Sequence, residues 1–254
     1  MDLSQTDHLK SYGLVYWAIK NGHITDWLLN YRGGSFAMNY DDEVATECRI
    51  RGIYFEQISD ATYQSIIEEV QSEKNNQELV KLEKAPKIAV YAPPGAQPWD
   101  DAVRLALEYA EIEHDIIWDD EVMTEKLKEY DWLHLHHEDF TGQYGKFWVS
   151  YRNAPWYIQQ VALNESMAKK LGFPDVCELK KAVARKIREY VASGGFLFAM
   201  CTATDSYDIA LAVENVDICD VMFDGTPHDH HANEKLNYED TFAFENFRLI
   251  LDPT

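Results

Sequence analysis

The chain has 254 residues, 46% of them hydrophobic and 13% aromatic, which is enough apolar material for a folded core and excludes a disordered chain. Acidic residues outnumber basic ones 44 to 23, and the net charge of −21 repels nucleic acid and anionic membrane, so neither is an expected partner. Cys48, Cys177, Cys201 and Cys219 show no CxxC spacing, which argues against a zinc ribbon or a disulfide framework.

No stretch approaches the ~18–20 apolar residues of a membrane span. The opening Met1-Asp2-Leu3-Ser4-Gln5 lacks the basic and apolar regions of a signal peptide. A soluble protein, cytoplasmic or exported, is expected, and nothing in the sequence sets its oligomeric state.

Asp2, Ser4 and Thr6 lead into a helix over 8–20 with Leu9, Tyr12, Tyr16 and Ile19 on its inner face; Asn21-Gly22 stops it. Because the chain opens directly into a helix, a further strand ahead of Met1 is expected. Residues 24–29 read as a short strand, followed by the glycine turn Asn30-Tyr31-Arg32-Gly33-Gly34-Ser35. The Walker pattern and GxGxxG are both absent there, so a hairpin or loop turn is expected rather than a phosphate cradle. Helices are predicted over 41–51 and 60–71, with a strand over 52–57 between them. The charged segment 72–84 reads as a linker or an exposed edge.

A second cycle begins with the strand 87–91, whose carboxyl end carries the loop Ala92-Pro93-Pro94-Gly95. A helix over 99–110, a strand over 114–118, a short helix over 121–128 and a strand over 130–136 follow. Residues 140–155 read as a long loop and 156–171 as a helix. Residues 241–251 alternate apolar and polar positions, as a half-buried strand would. Strands alternating with helices predict an α/β fold with a mostly parallel sheet flanked by helices. Two regions are expected: an N-terminal α/β segment over 1–80 on the same or a neighbouring sheet, and a larger domain over 81–254.

The most informative stretch is 178–211. Leu179, Val183, Ile187 and Val191 recur every fourth position, the stripe of an amphipathic helix, and Ser193-Gly194-Gly195 ends it. Phe196-Leu197-Phe198-Ala199-Met200 has no polar residue, as expected of a central parallel strand covered on both faces. Cys201 stands where that strand stops and the next helix starts. A nucleophile there is held out of the sheet with helix N-terminal N–H groups beside it, and the Thr202 N–H could serve an oxyanion.

His134-Leu135-His136-His137-Glu138-Asp139 is the second constellation. Residues two apart on a strand share a face, so His134 and His136 are neighbours at a strand's carboxyl end. With a nearby carboxylate, Glu138 or Asp139, they offer a divalent metal such as zinc a ligand set; no other cofactor is expected. His228-Asp229-His230-His231 lies in a polar loop that reads as a solvated turn with some capacity for zinc. Tyr144, Phe147, Trp148, Tyr151 and Trp156 could stack on a sugar or simply pack a long loop.

The strand 194–200 with Cys201 at its turn resembles the nucleophile elbow of class I glutamine amidotransferase-like domains, over roughly residues 87–254. That resemblance implies a flavodoxin-like three-layer sandwich. The family pattern G-x-C-x-G is replaced here by Ala199-Met200-Cys201-Thr202-Ala203. Its His-x-Glu pair is not found after Cys201, so the pair lies beyond Thr254 or is missing. Taken whole, residues 28–36, 130–145 and 198–208 resemble a bacterial group often labelled asparagine synthetase B. The SGGxDS loop that this label implies is not matched, because Ser193-Gly194-Gly195 is followed by Phe196-Leu197.

Three readings of function follow. The first is a cysteine-dependent amide or acyl hydrolase acting on a small-molecule or amide substrate. In it Cys201 is nucleophile, Thr202 oxyanion donor, and His136 or His137, with Glu138 nearby, the base or orienter. The second is a metal-dependent hydrolase built on His134, His136 and Glu138. The third is a non-catalytic binding or scaffold module that kept the fold.

Overall fold

The computed structural model describes residues 3–96, 100–144 and 147–252. Two compact units form: Met1–Pro86 with Ala102–Glu113, and Lys87–Asp101 with His114–Thr254.

The first unit opens with α1 (His8–Lys20), capped by the Asp7 carboxylate, which accepts the Lys10 N–H at 3.0 Å. Strands β1 (Thr25–Leu29) and β2 (Ser35–Met38) form an antiparallel hairpin across the glycine turn, as expected. Asn30, Arg32, Gly33 and Gly34 all take positive φ in that turn. Helices α2 (Asp42–Ile50) and α3 (Asp60–Val70) follow, capped by Asp41 and Ser59. Strand β3 (Glu78–Leu82) then pairs antiparallel with β1, completing a sheet of order β2-β1-β3. The charged segment 72–84 therefore supplies an edge strand. The strand predicted over 52–57 does not form: those residues join no ladder and run irregularly between α2 and α3. Alternation and aromatic content supply a propensity there, but a strand needs a partner for its backbone groups.

Helix α4 (Ala102–Tyr109) belongs to this unit; Trp99, the predicted start of that helix, lies outside the described residues. A Cβ on Gly13 would come within 1.7 Å of the Ala110 carbonyl oxygen, so α1 approaches the end of α4 where only glycine fits.

The second unit is an α/β layer structure. Strands β4 (Ile88–Tyr91), β5 (Asp115–Ile117), β6 (Trp132–Leu135) and β7 (Phe196–Ala199) are all parallel, in the order β5-β4-β6-β7. This is a four-stranded parallel sheet of flavodoxin-like strand order. Its helices are α5 (Asp119–Met123), α6 (Trp148–Tyr151), α7 (Pro155–Lys170), α8 (Val176–Ala192), α9 (Thr202–Ala212) and α10 (Val221–Asp224). Ala89, Tyr91, Ile117, Leu133 and Leu135 on one sheet face bury against Leu179, Val183 and Ile187 of α8 and Leu211 of α9. The i, i+4, i+8 stripe of α8 is thus its core face, each such side chain contributing roughly 1.5–3 kcal/mol on full burial.

Three expectations for this unit are corrected. Strand β7 lies at the sheet edge, and Phe196 and Phe198 are 61% and 40% exposed, so the strand is apolar without being covered on both faces. Residues 241–251 form no strand. The buried Asp208 carboxylate instead accepts the N–H groups of Phe242, Ala243 and Phe244, each at 2.8 Å, which satisfies the backbone without a ladder. The loop 140–155 contains the short α6; Gly145, Pro253 and Thr254 lie outside the described residues.

Beneath the sheet's carboxyl end, Lys180 of α8 is buried with its Nζ 2.9 and 2.8 Å from the Asp119 carboxylate oxygens and 3.0 Å from the Tyr91 hydroxyl, which itself donates to Asp119. Among the described residues no helix is long and apolar enough to cross a membrane.

Candidate active site

Cys201 sits where β7 turns into α9, and the residues flanking it are tied to the segment that leaves β6. The Met200 N–H donates to Leu135 O at 2.9 Å and the Ala203 N–H to His136 O at 3.1 Å. The Thr202 hydroxyl donates to His137 O and the Ser206 hydroxyl to Glu138 O, each at 2.9 Å. This second ladder carries the β6–β7 pairing past the end of the sheet and lays Cys201 beside His136, His137 and Glu138.

At φ 52°, ψ −137°, Cys201 holds a conformation that costs a non-glycine residue roughly 1–3 kcal/mol. The tight turn exposes the residue and places the Thr202 N–H at the first helical position, where an α-helix has no acceptor of its own. The positive end of α9 adds its field at the same place. The other thiols differ: Cys48, Cys177 and Cys219 are 4%, 5% and 0% exposed. Burial pushes the Cys48 thiol up, and the neighbouring Cys177 thiol together with burial pushes Cys219 up further.

The histidines occupy the sheet face opposite the α8 core. His134 and His136 stack, with ring centroids 6.1 Å apart and planes at 29°, as alternation on a strand requires. His134 is fully buried. Its Nδ1 lies 3.2 Å from Phe198 O, and its Nε2 lies 3.3 Å from Asp101 Oδ2 without hydrogen-bond geometry. Burial holds this imidazole below its ordinary pKa, against the pull of the Asp101 charge. His136 Nδ1 is 3.8 Å from Asp101 Oδ1 and 2.8 Å from His137 Nδ1. The Glu138 carboxylate accepts the His136 N–H at 3.1 Å, and burial raises its pKa to about 7.

Asp101 is the residue that sequence reasoning missed. It is 5% exposed and lies in the loop at the carboxyl end of β4. The signal available was position alone: a carboxylate in a strand-end loop on the side of the sheet where ligands bind. Strand order makes this more specific. β4 continues to β5 on one side while β6 lies on the other, so Asp101 and the histidines meet at the point where the order reverses, with Cys201 one strand further on.

Two contacts pin the segment beyond Glu138. Gly142 has φ +82°, and a Cβ there would come 2.7 Å from the Cys177 Cα. The Cys219 thiol donates to Thr141 O at 3.2 Å.

The remaining candidates are placed elsewhere. His228 Nδ1 is 3.5 Å from Asp220, and His231 Nδ1 is 3.3 Å from Glu234. Among the described residues no three His, Cys, Asp or Glu side chains are arranged to hold a metal ion, either there or around His134, His136 and Glu138. Phe147, Tyr151 and Trp156 pack on one another with centroids 5.3–5.8 Å apart, all three about half exposed.

Fold and site together define a flavodoxin-like α/β unit with an exposed cysteine on a strained strand-to-helix turn, beside a cluster of imidazoles and carboxylates. No family model, curated protein or solved structure matches the chain.

Proposed function

We propose that the protein is a cysteine-dependent hydrolase of amides or related acyl compounds, of the glutamine amidotransferase-like type. The observation that carries this reading is the backbone of Cys201: a strained, exposed turn tied by hydrogen bonds to the His136–Glu138 segment. In the proposed reaction the imidazole of His136 or His137 takes the Cys201 proton, and the thiolate adds to the substrate carbonyl. The developing oxyanion accepts the Thr202 N–H, at the N-terminus of α9. Collapse of the tetrahedral intermediate breaks the C–N or equivalent bond, and the imidazolium gives its proton to the leaving group. Water then hydrolyses the thioester, returning the thiol. Asp101, beside His134 and His136, orients these imidazoles in the site.

The test is hydrolysis of a chromogenic amide such as γ-glutamyl-p-nitroanilide by wild type, Cys201→Ser and Cys201→Ala, with iodoacetamide alkylation followed in parallel. The proposal expects both variants to lose turnover and Cys201 to alkylate well ahead of the three buried thiols. Undiminished hydrolysis by Cys201→Ala would end it.

A further inference from the structure

The first unit holds a cavity of about 730 Å³, within the roughly 300–1,000 Å³ range of small-molecule sites, and the proposed hydrolase chemistry makes no use of it. Its floor is the sheet face carrying Asp26 and Leu28 of β1, with Ala37 of β2 and Lys81 of β3 opposite Asp26 in register. Phe36, Tyr40, Tyr54, Phe55 and Tyr63 supply aromatic wall, and three of these keep large exposed surface: Tyr40 54%, Tyr54 51% and Phe55 38%. Such a concentration of exposed rings around one concavity calls for an occupant.

The polar groups indicate its charge. Carboxylates on the lining (Asp26, Asp41, Glu56 and Asp60) outnumber the cations Arg32 and Lys81. Both cations already face glutamates: Arg32 lies 3.9 Å from Glu56, and Lys81 3.7 Å from Glu83. Asp41 is engaged as the cap of α2. The Tyr40 and Tyr54 hydroxyls donate to Asp42 and Glu56, at 2.8 and 2.5 Å. Asp26 is different. Its Oδ2 accepts the Tyr63 hydroxyl, while among the described residues no protein donor reaches its Oδ1. A carboxylate oxygen on the floor of an aromatic-walled cavity suits an ammonium group, which gains both the ion pair and the attraction of the ring faces.

We propose that this cavity binds a small aromatic primary amine, its ammonium on Asp26 and its ring among the tyrosines and phenylalanines. The binding is independent of Cys201. Calorimetric titration of the whole protein with three probes of one ring and different charge tests this: tyramine, neutral tyrosol and anionic 4-hydroxyphenylacetate. Tyramine is expected to bind one per chain, tyrosol about tenfold or more weakly, and 4-hydroxyphenylacetate without saturable heat. Tyramine affinity should fall several-fold from 20 mM to 0.5 M NaCl, because part of it is Coulombic. Asp26→Asn should cost tyramine about tenfold and leave tyrosol unchanged. Equal binding of the three probes, no binding of tyramine, or tyramine bound equally well by Asp26→Asn overturns the proposal. The wild-type series decides alone if that variant does not fold.

Discussion

Replacing Cys201 by glycine and by alanine separates the strain of the turn from the chemistry of the thiol. Both substitutions remove the sulfur, and the residue is exposed, so neither opens a cavity. They differ in backbone freedom. Alanine keeps the cost of holding φ 52°, ψ −137°, roughly 1–3 kcal/mol, whereas glycine adopts that region without a Cβ clash. Against this, glycine gives the unfolded chain extra entropy worth about 0.4–1 kcal/mol. The balance leaves Cys201→Gly more stable than Cys201→Ala by about 0.5–2 kcal/mol. With a urea dependence of roughly 2 kcal/mol per molar, the midpoint of unfolding should lie about 0.3–1 M higher for glycine. Equal midpoints, or a lower one for glycine, would show that the turn stores no strain and remove the main support for an elbow nucleophile.

Glu138 gives a pH test. Its folded pKa of about 7 lies above its ordinary value near 4.5, so between those pH values the folded chain keeps a proton that the unfolded chain releases. Stability therefore falls as pH rises through that window, by up to about 3 kcal/mol, and Glu138→Gln, which cannot titrate, should escape the loss; parallel chemical denaturation at pH 4.5 and 8 reads the difference. Asp101→Asn is expected to slow iodoacetamide alkylation of Cys201 near pH 7 by about tenfold or more while shifting the urea midpoint little, since Asn can donate to His134 Nε2; unchanged alkylation would remove Asp101 from the site. Lys180→Met strands the buried Asp119 carboxylate and should destabilise by about 3–5 kcal/mol, whereas adding Asp119→Asn should restore part of it; an additive double variant would contradict the pair.

Periodicity along the chain was enough for the parallel sheet and its main helices. The α8 stripe at Leu179, Val183 and Ile187 is a local pattern that burial demands wherever the helix docks, and the apolar run of β7 marks a strand of which Leu197 and Ala199 pack on the core. Cys201 was legible for the same reason, because glycine stop, apolar strand and the next helix are consecutive in the chain. His134 and His136 were legible as same-face neighbours because a strand's period of two is a local property.

What the chain alone could not specify depends on partners distant in sequence. Residues 52–57 and 241–251 have strand-like composition, yet neither joins a ladder; Asp208, more than thirty residues earlier, takes three of the backbone donors in the second segment. Strand order placed β7 at an edge, a fact that its own residues do not encode. The same ordering brought Asp101, from the loop after β4, against His134 and His136 from β6, although over thirty residues separate them. Local propensity decides which segments extend or coil, while pairing and burial between distant segments decide which carboxylate meets which imidazole.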